Sequence, residues 1–156
     1  MAGDMLVNLT TLPQLPPLPA GLKLKRAFPG DKNIILDFIK NNFQESWKNE
    51  AEYALMQNPP ACFVATENGK LLGFACYDAS AKGFFGPIGV LSSDRGRGIG
   101  AALLIYTLEA MRAAGYGYGI IGWVDGPEKF YEKVVNAQSV TGGEPQNSVY
   151  SRYIFM

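Results

Sequence analysis

The chain has 156 residues, 47% hydrophobic and 18% charged, with 14 basic and 14 acidic side chains. That length suits one domain around one core, and the apolar share suits a globular chain rather than a disordered one. A net charge of zero argues against nucleic acid or an anionic membrane surface as partner. No apolar run reaches the roughly 20 residues of a membrane span, and the first residues do not read as a secretory signal. With no histidine, no Ser-His-Asp or Cys-His arrangement and no His-containing zinc site can form, and no metal site is expected.

Residues 1–21 are expected to be an extended arm and residues 22–156 the folded domain. The stretch from Leu9 to Gly21 carries Pro13, Pro16, Pro17 and Pro19, which favour an extended leader lying against the domain. Leu22 to Arg26 alternates like a strand. From Asp31 a helical period places Ile34, Ile35, Phe38, Ile39 and Phe43 on one side, and a second helix covers Trp47 to Gln57 before Pro59-Pro60.

Asn68-Gly69 marks a two-residue hairpin turn between Cys62–Thr66 and Leu71–Cys76. If Glu67 faces Lys70, then Cys62 faces Ala75 and Cys76 faces Ala61, so the two thiols stay apart. They read as reduced core residues of a cytoplasmic protein. Gly83 to Val90 forms a third strand, bulged or partly unpaired at Pro87, which has no N–H to donate. A helix from Ile99 to Ala114 ends at Gly115, and Tyr118 to Val124 is an apolar, buried strand. Pro127 opens a helix through Val134, and Ser148 to Phe155 looks strand-like. This order describes a single α/β domain around a mixed sheet.

The strongest local signal is Asp94-Arg95-Gly96-Arg97-Gly98-Ile99-Gly100, between a strand and a long helix. Glycines let the backbone turn and approach a ligand, the helix start offers free N–H groups, and the two arginines add charge, all of which suit a phosphate. No Gly-Lys-Ser/Thr ending follows, which excludes a P-loop. Gly96, Gly98 and Ala101 satisfy the dinucleotide pattern G-x-G-x-x-A, but a hairpin precedes the loop where a parallel sheet would need crossovers.

Arg95-x-x-Gly98-x-Gly100 resembles the (Gln/Arg)-x-x-Gly-x-(Gly/Ala) motif of GNAT N-acetyltransferases. About thirty residues on, Phe130-Tyr131-Glu132-Lys133 resembles the family's Phe-Tyr-x-Lys segment. The resemblance is firm over residues 61–135. One departure is visible: where the family often continues with Gly-Phe, this chain reads Val134-Val135-Asn136-Ala137.

The resemblance implies an α/β (α+β) fold, with a mixed, mostly antiparallel sheet, a splayed parallel strand pair and flanking helices. It implies acetyl-CoA as cosubstrate and an amine acceptor; charge and hydropathy leave no nucleic acid and no membrane among the expected partners, and a homodimer stays open. Ile88, Gly89 and Val90 would line the pantetheine arm. Arg95, Gly96, Arg97, Gly98, Ile99, Gly100 and Ala101 would hold the pyrophosphate, with Phe130 beside the cofactor. A backbone N–H near Val90 would stabilise the oxyanion.

Tyr131 would protonate the departing thiolate, because a phenol of pKa about 10 is reasonably matched to an alkyl thiolate. No carboxylate lies between Gly83 and Leu91. The amine is therefore expected to lose its proton to water rather than to an essential side-chain base. Glu45, Glu50, Glu52, Asp78, Asp125 and Glu128 read as solvated charges, with Glu50 and Asp125 the first suspects should a carboxylate act. Trp47, Phe43 and Tyr53 are candidates for an acceptor pocket. The acceptor itself could be a small amine, an antibiotic or a protein N-terminus. Two other classes remain compatible with the residues: an acetyl-CoA sensor without turnover, and a dinucleotide-binding domain.

Overall fold

The computed structural model of the chain describes residues 2–156. Strands β1 (Gly3–Asn8), β2 (Leu22–Arg26), β3 (Cys62–Glu67), β4 (Lys70–Tyr77), β5 (Phe84–Val90), β6 (Tyr118–Val124) and β7 (Gln138–Ser139) form one sheet in the order β2-β3-β4-β5-β6-β1-β7. The pair β5–β6 is parallel and every other pair is antiparallel. The helices are α1 (Lys32–Asn42), α2 (Glu45–Leu55), α3 (Ile99–Ala113) and α4 (Glu128–Val135).

Alternation along β4 sorts the helices onto faces. Phe74 packs against Phe43 and Trp47 at the α1–α2 corner, with ring centroids 5.6 and 6.3 Å away. A side chain at Gly73, one residue earlier, would instead meet Leu103 of α3. Helices α1 and α2 therefore cover one face and α3 the other. Helix α3 sinks deepest, burying Ile99, Leu103, Leu104, Ile105, Leu108 and Met111.

Several sequence expectations are corrected. In α1 it is Ile35, Leu36 and Ile39 that are buried, while Ile34 is 63% exposed. Leu36 takes the inward place expected of Ile34, while Phe38 and Phe43 pack half-buried against the core. The hairpin turns at Asn68-Gly69 with Glu67 opposite Lys70, as read, but the register shifts between Thr66 and Ala65. Leu72 is the extra residue, so Cys62 stands opposite Cys76 rather than Ala75. A bulge slips every later pair by one position. Both thiols are free and buried, and burial pushes the Cys76 thiol well up.

Strand β6 is only half buried, with Tyr118 62% exposed. The tail is not a strand: it makes 3₁₀ turns at Pro145–Asn147 and Val149–Arg152. The Ser148 hydroxyl donates to Asp4 (2.6 Å) and the Ser151 N–H to the Ser148 carbonyl (3.0 Å), which curls the chain there. Where the family motif would continue with glycine, Asn136 takes the left-handed conformation (φ 55°) that closes α4, a role asparagine fills readily.

Part of the expected arm is a strand. Residues 3–8 enter the sheet between β6 and β7, burying Met5 and Val7, and residues 12–19 lack regular structure. Partly buried Leu12 and Leu18 pack that extended stretch against the core.

Candidate active site

The site lies where the parallel pair comes apart. β5 and β6 pair only at Phe84–Ile120 and Phe85–Ile121. Beyond that point both strands bulge. On β5, Gly86 and Pro87 form the irregularity against β4, as the missing N–H of Pro87 leads one to expect. On β6, Gly122 and Trp123 together oppose Asp4 of β1. Trp123 is held at φ 47°, and its N–H donates to the buried Asp4 carboxylate at 3.0 Å. Two bulges facing each other leave a gap in the sheet that no ladder bond closes.

One cavity, of about 570 Å³, occupies the upper part of that gap. Ile88, Gly89 and Val90 of β5 form one wall, and Arg95, Gly96, Gly98, Ile99, Gly100 and Ala101 form its rim. Phe130 and Pro127 close it from α4, and Phe43 and Trp47 from the α1–α2 corner. Leu91 donates its N–H to the Leu72 carbonyl (2.9 Å). Successive strand residues point their polar groups to opposite sides, so the Val90 N–H faces away from β4 toward the gap.

The rim is built to offer donors. Gly98 caps α3 at φ 81°, ψ 6°, a conformation that costs a side-chain-bearing residue strain. Nothing lies within 4 Å of where its Cβ would stand, so the space above it is open. The first intrahelical bond runs from Ala102 N to Gly98 O (3.1 Å). The N–H groups of Ile99, Gly100 and Ala101 therefore have no helical acceptor and point out of the helix start. Arg95 lines the cavity, with its Nε 3.4 Å from the Val90 carbonyl.

Ten of the eleven expected cofactor residues thus line one cavity; Arg97 does not. Its guanidinium turns outward to Glu67 (2.7 Å) and Asp94 (2.9 Å), and that pairing holds Glu67 below the usual carboxylate range. Tyr131 lines neither this cavity nor its neighbour. It is 6% exposed, with ring centroids 6.5 Å from Phe85 and 5.2 Å from Phe130, and burial pushes its phenol up to about 12.

A second cavity, of about 420 Å³, continues the gap below and shares Trp47 and Ile88 with the first. Its β-strand walls are Phe85 to Ile88 and Ile121 to Trp123, and Asp125 stands at its edge. The tail roofs it with Tyr150, Tyr153 and Phe155, whose rings follow one another at 6.4 and 4.8 Å. Tyr150 also packs on Trp123 at 5.2 Å, and a Cβ at Gly122 would collide with the Tyr150 hydroxyl, so glycine is required there.

Glu50 of α2 lines this cavity. Burial raises its carboxyl above the usual range, opposed by hydrogen bonds from the Ser80 and Tyr153 hydroxyls. From sequence alone Glu50 reads as a solvated charge, though a first suspect with Asp125 should a carboxylate act, and the tail has no role. The missing signal was tertiary, since Tyr153, which shares the cavity wall and bonds to Glu50, comes from 103 positions away. Of the expected pocket residues, Trp47 and Phe43 line cavities, while Tyr53 is 58% exposed. Among the described residues, no cluster of three or more His, Cys, Asp or Glu side chains is placed to hold a metal ion. No described helix is long and apolar enough to cross a membrane.

A family model described as the acetyltransferase (GNAT) family matches residues 32–135. Among solved structures, a GCN5-related N-acetyltransferase from Sphaerobacter thermophilus superposes with TM-score 0.70 at 21% identity, over 89% of this chain and 48% of that one. A GCN5-related N-acetyltransferase from Kribbella flavida gives 0.65 at 19%, over 88% and 54%. A GNAT-family N-acetyltransferase from Escherichia coli in complex with CoA gives 0.50 at 18%, over 65% and 61%. The chain spans about half the length of the first two. No curated protein matches it.

Proposed function

The chain belongs to the GNAT acetyltransferase family, and from that premise we propose that it moves an acetyl group from acetyl-CoA to an amine held in the same complex. The observation that carries this reading is the sheet gap. It joins a cavity rimmed by free helix N–H groups and Arg95 to a second cavity lined by aromatic rings and carboxylates.

In this reading the pyrophosphate rests on the N–H groups of Ile99, Gly100 and Ala101, with Gly96 and Gly98 keeping the loop clear and Arg95 supplying charge. The pantetheine arm runs along Ile88, Gly89 and Val90 beside Phe130. The thioester then lies near Trp47 and Ile88, where the two cavities meet. The neutral amine nitrogen attacks the thioester carbon, and the Val90 N–H receives the developing oxyanion. A C–N bond forms and the C–S bond breaks. Nitrogen loses one proton and the thiolate sulfur gains one, and in this reading the Tyr131 hydroxyl donates a hydrogen bond to that sulfur as charge builds on it.

Calorimetry with acetyl-CoA, CoA and NAD tests the binding half: acetyl-CoA and CoA should bind and NAD should not. Release of free CoA in the presence of an amine panel tests the transfer half. Tyr131 lines neither cavity, an observation that favours the second reading, an acetyl-CoA sensor. Binding without CoA release across the panel would establish that alternative.

A further inference from the structure

The second cavity has a lopsided chemistry. Glu50 and Asp125 both line it, and none of its described lining residues is lysine or arginine. Arg152 lines an adjoining hollow of about 260 Å³ that shares Glu50 and Ser80, yet no hydrogen bond or ion pair joins it to Glu50. Four large rings, Trp47, Trp123, Tyr150 and Tyr153, stand in its remaining walls. An ammonium group is attracted both to a desolvated carboxylate and to the faces of Trp and Tyr, whereas an anion finds neither a partner nor a low-cost way in.

Resting on the acetyltransferase reading, we propose that the acceptor is a cationic organic amine that carries no carboxylate or phosphate of its own. Its ammonium enters against Glu50, and its apolar body lies among Trp47, Trp123, Tyr150 and Tyr153. Glu50 is oriented for this by the hydroxyls of Ser80 and Tyr153, which hold the carboxylate toward the cavity that Tyr150 roofs. Before transfer the ammonium gives one proton to the Glu50 carboxylate. The freed nitrogen lone pair then forms the C–N bond while the C–S bond breaks; the nitrogen loses its second proton as the amide forms, the departing thiolate takes one up, and the proton on Glu50 passes to solvent. An amino acid acceptor would bring its own carboxylate into a space already holding two.

Phenethylamine and phenylalanine share one body and differ only by that carboxylate, so they test the idea directly. Calorimetry on the intact protein, with and without acetyl-CoA, is combined with CoA release for each acceptor. The expected result is binding and turnover of phenethylamine, with kcat/KM about 10²-fold or more above phenylalanine. Glu50→Gln should weaken phenethylamine binding about tenfold or more while the acetyl-CoA Kd stays within twofold. Equal or better use of phenylalanine would overturn the proposal while leaving the acetyltransferase reading intact. Failure of phenethylamine to bind, or binding indifferent to Glu50→Gln, would overturn it too. Glu50-dependent phenethylamine binding in a protein that neither binds acetyl-CoA nor releases CoA would support the proposal and sink the acetyltransferase reading instead.

Discussion

Tyr131→Phe removes one oxygen atom and keeps the ring. The ring is packed between Phe85 and Phe130, and the hydroxyl makes no hydrogen bond to another described residue, so the substitution breaks no native partner. Stability should change little. The effect on rate follows from burial. A phenol pushed up to about 12 stays protonated throughout the working range. A thiolate whose acid has pKa about 8.5 is weaker as a base than that phenolate by about 3.5 units. Complete transfer in the ground state would therefore be uphill by about 5 kcal/mol at 1.36 kcal/mol per unit. Tyr131 is accordingly a hydrogen-bond donor to charge building on sulfur, rather than the well-matched acid that an unshifted phenol would be. A hydrogen bond to a charged acceptor is worth about 1.5–3 kcal/mol, which is about 10- to 150-fold in rate. The assay is single-turnover CoA release with saturating acetyl-CoA and amine, alongside calorimetry for cofactor affinity and thermal denaturation for fold. The expected result is a kcat lower by that factor with Kd and Tm almost unchanged. A single-turnover rate within threefold of wild type would refute the reasoning and leave Tyr131 a packing residue.

Gly98→Val forces a branched side chain into φ 81° and places it above the free N–H groups of α3, so acetyl-CoA affinity should fall by about 10²-fold or more in a protein with a wild-type circular dichroism spectrum; unchanged affinity in the folded variant would show that the backbone there touches no phosphate. Arg95→Ala should weaken acetyl-CoA about tenfold, whereas Arg97→Ala, which removes a side chain turned to Glu67 and Asp94, should have the smaller effect by calorimetry, and the reverse order would mean Arg97 swings inward. Because burial raises the Glu50 carboxyl, its neutral form is favoured by folding: that stability is present below the ordinary carboxylate pKa and is lost as pH rises through the raised value. Glu50→Gln should therefore raise Tm at pH 7 but not at pH 4, and an equal shift at both would rule out desolvation as the cause. Activity has the opposite sign, since only the ionised carboxylate can take a proton. The acidic limb of kcat/KM should fall at one raised carboxylate value for two amines whose own pKa values differ by two units, and limbs that follow the amines would return the proton to water.

The helices and the hairpin were legible because their signals are local. Apolar spacing marks α1 and α3, Asn68-Gly69 marks the turn, and Pro87 announces its own irregularity in β5. The loop from Arg95 to Ala101 was legible for the same reason, since glycine spacing before an apolar helix has few uses. Local signals could not show that Leu72 bulges, because a bulge relieves strain imposed by the neighbouring strands as much as by its own residue. They could not show β1 either. Its buried apolar positions, Met5 and Val7, give too short an alternation to read, and prolines follow soon after. Glu50 is the sharpest case. A glutamate on a helix beside lysine and asparagine reads as solvated, and it becomes desolvated only when Ser80, Tyr150 and Tyr153 arrive from β4's far end and from the tail. The second cavity is long-range in origin, whereas the glycine-rich rim of the first is written in consecutive residues.

β1 and β2 follow one another in the chain, yet β3, β4, β5 and β6 lie between them in the sheet. The partners that seat β1 are remote: Asp4 and Trp123 are 119 positions apart, and Asp4 and Ser148 are 144. A growing or refolding chain must leave β1 waiting until β6 has formed, because loop closure over that span brings no reward before its far end exists. The hairpin of β3 and β4 has no such delay. Pulse-labelling hydrogen exchange during refolding should protect Val64 and Phe74 first and Met5 and Val7 last; simultaneous protection would mean the whole sheet forms in one step. Until that last event the β6 edge is bare and the tail that roofs the second cavity has no Asp4 to hold Ser148. Catalytic competence should then trail compaction, appearing only when the earliest-made strand is the last to be set in place.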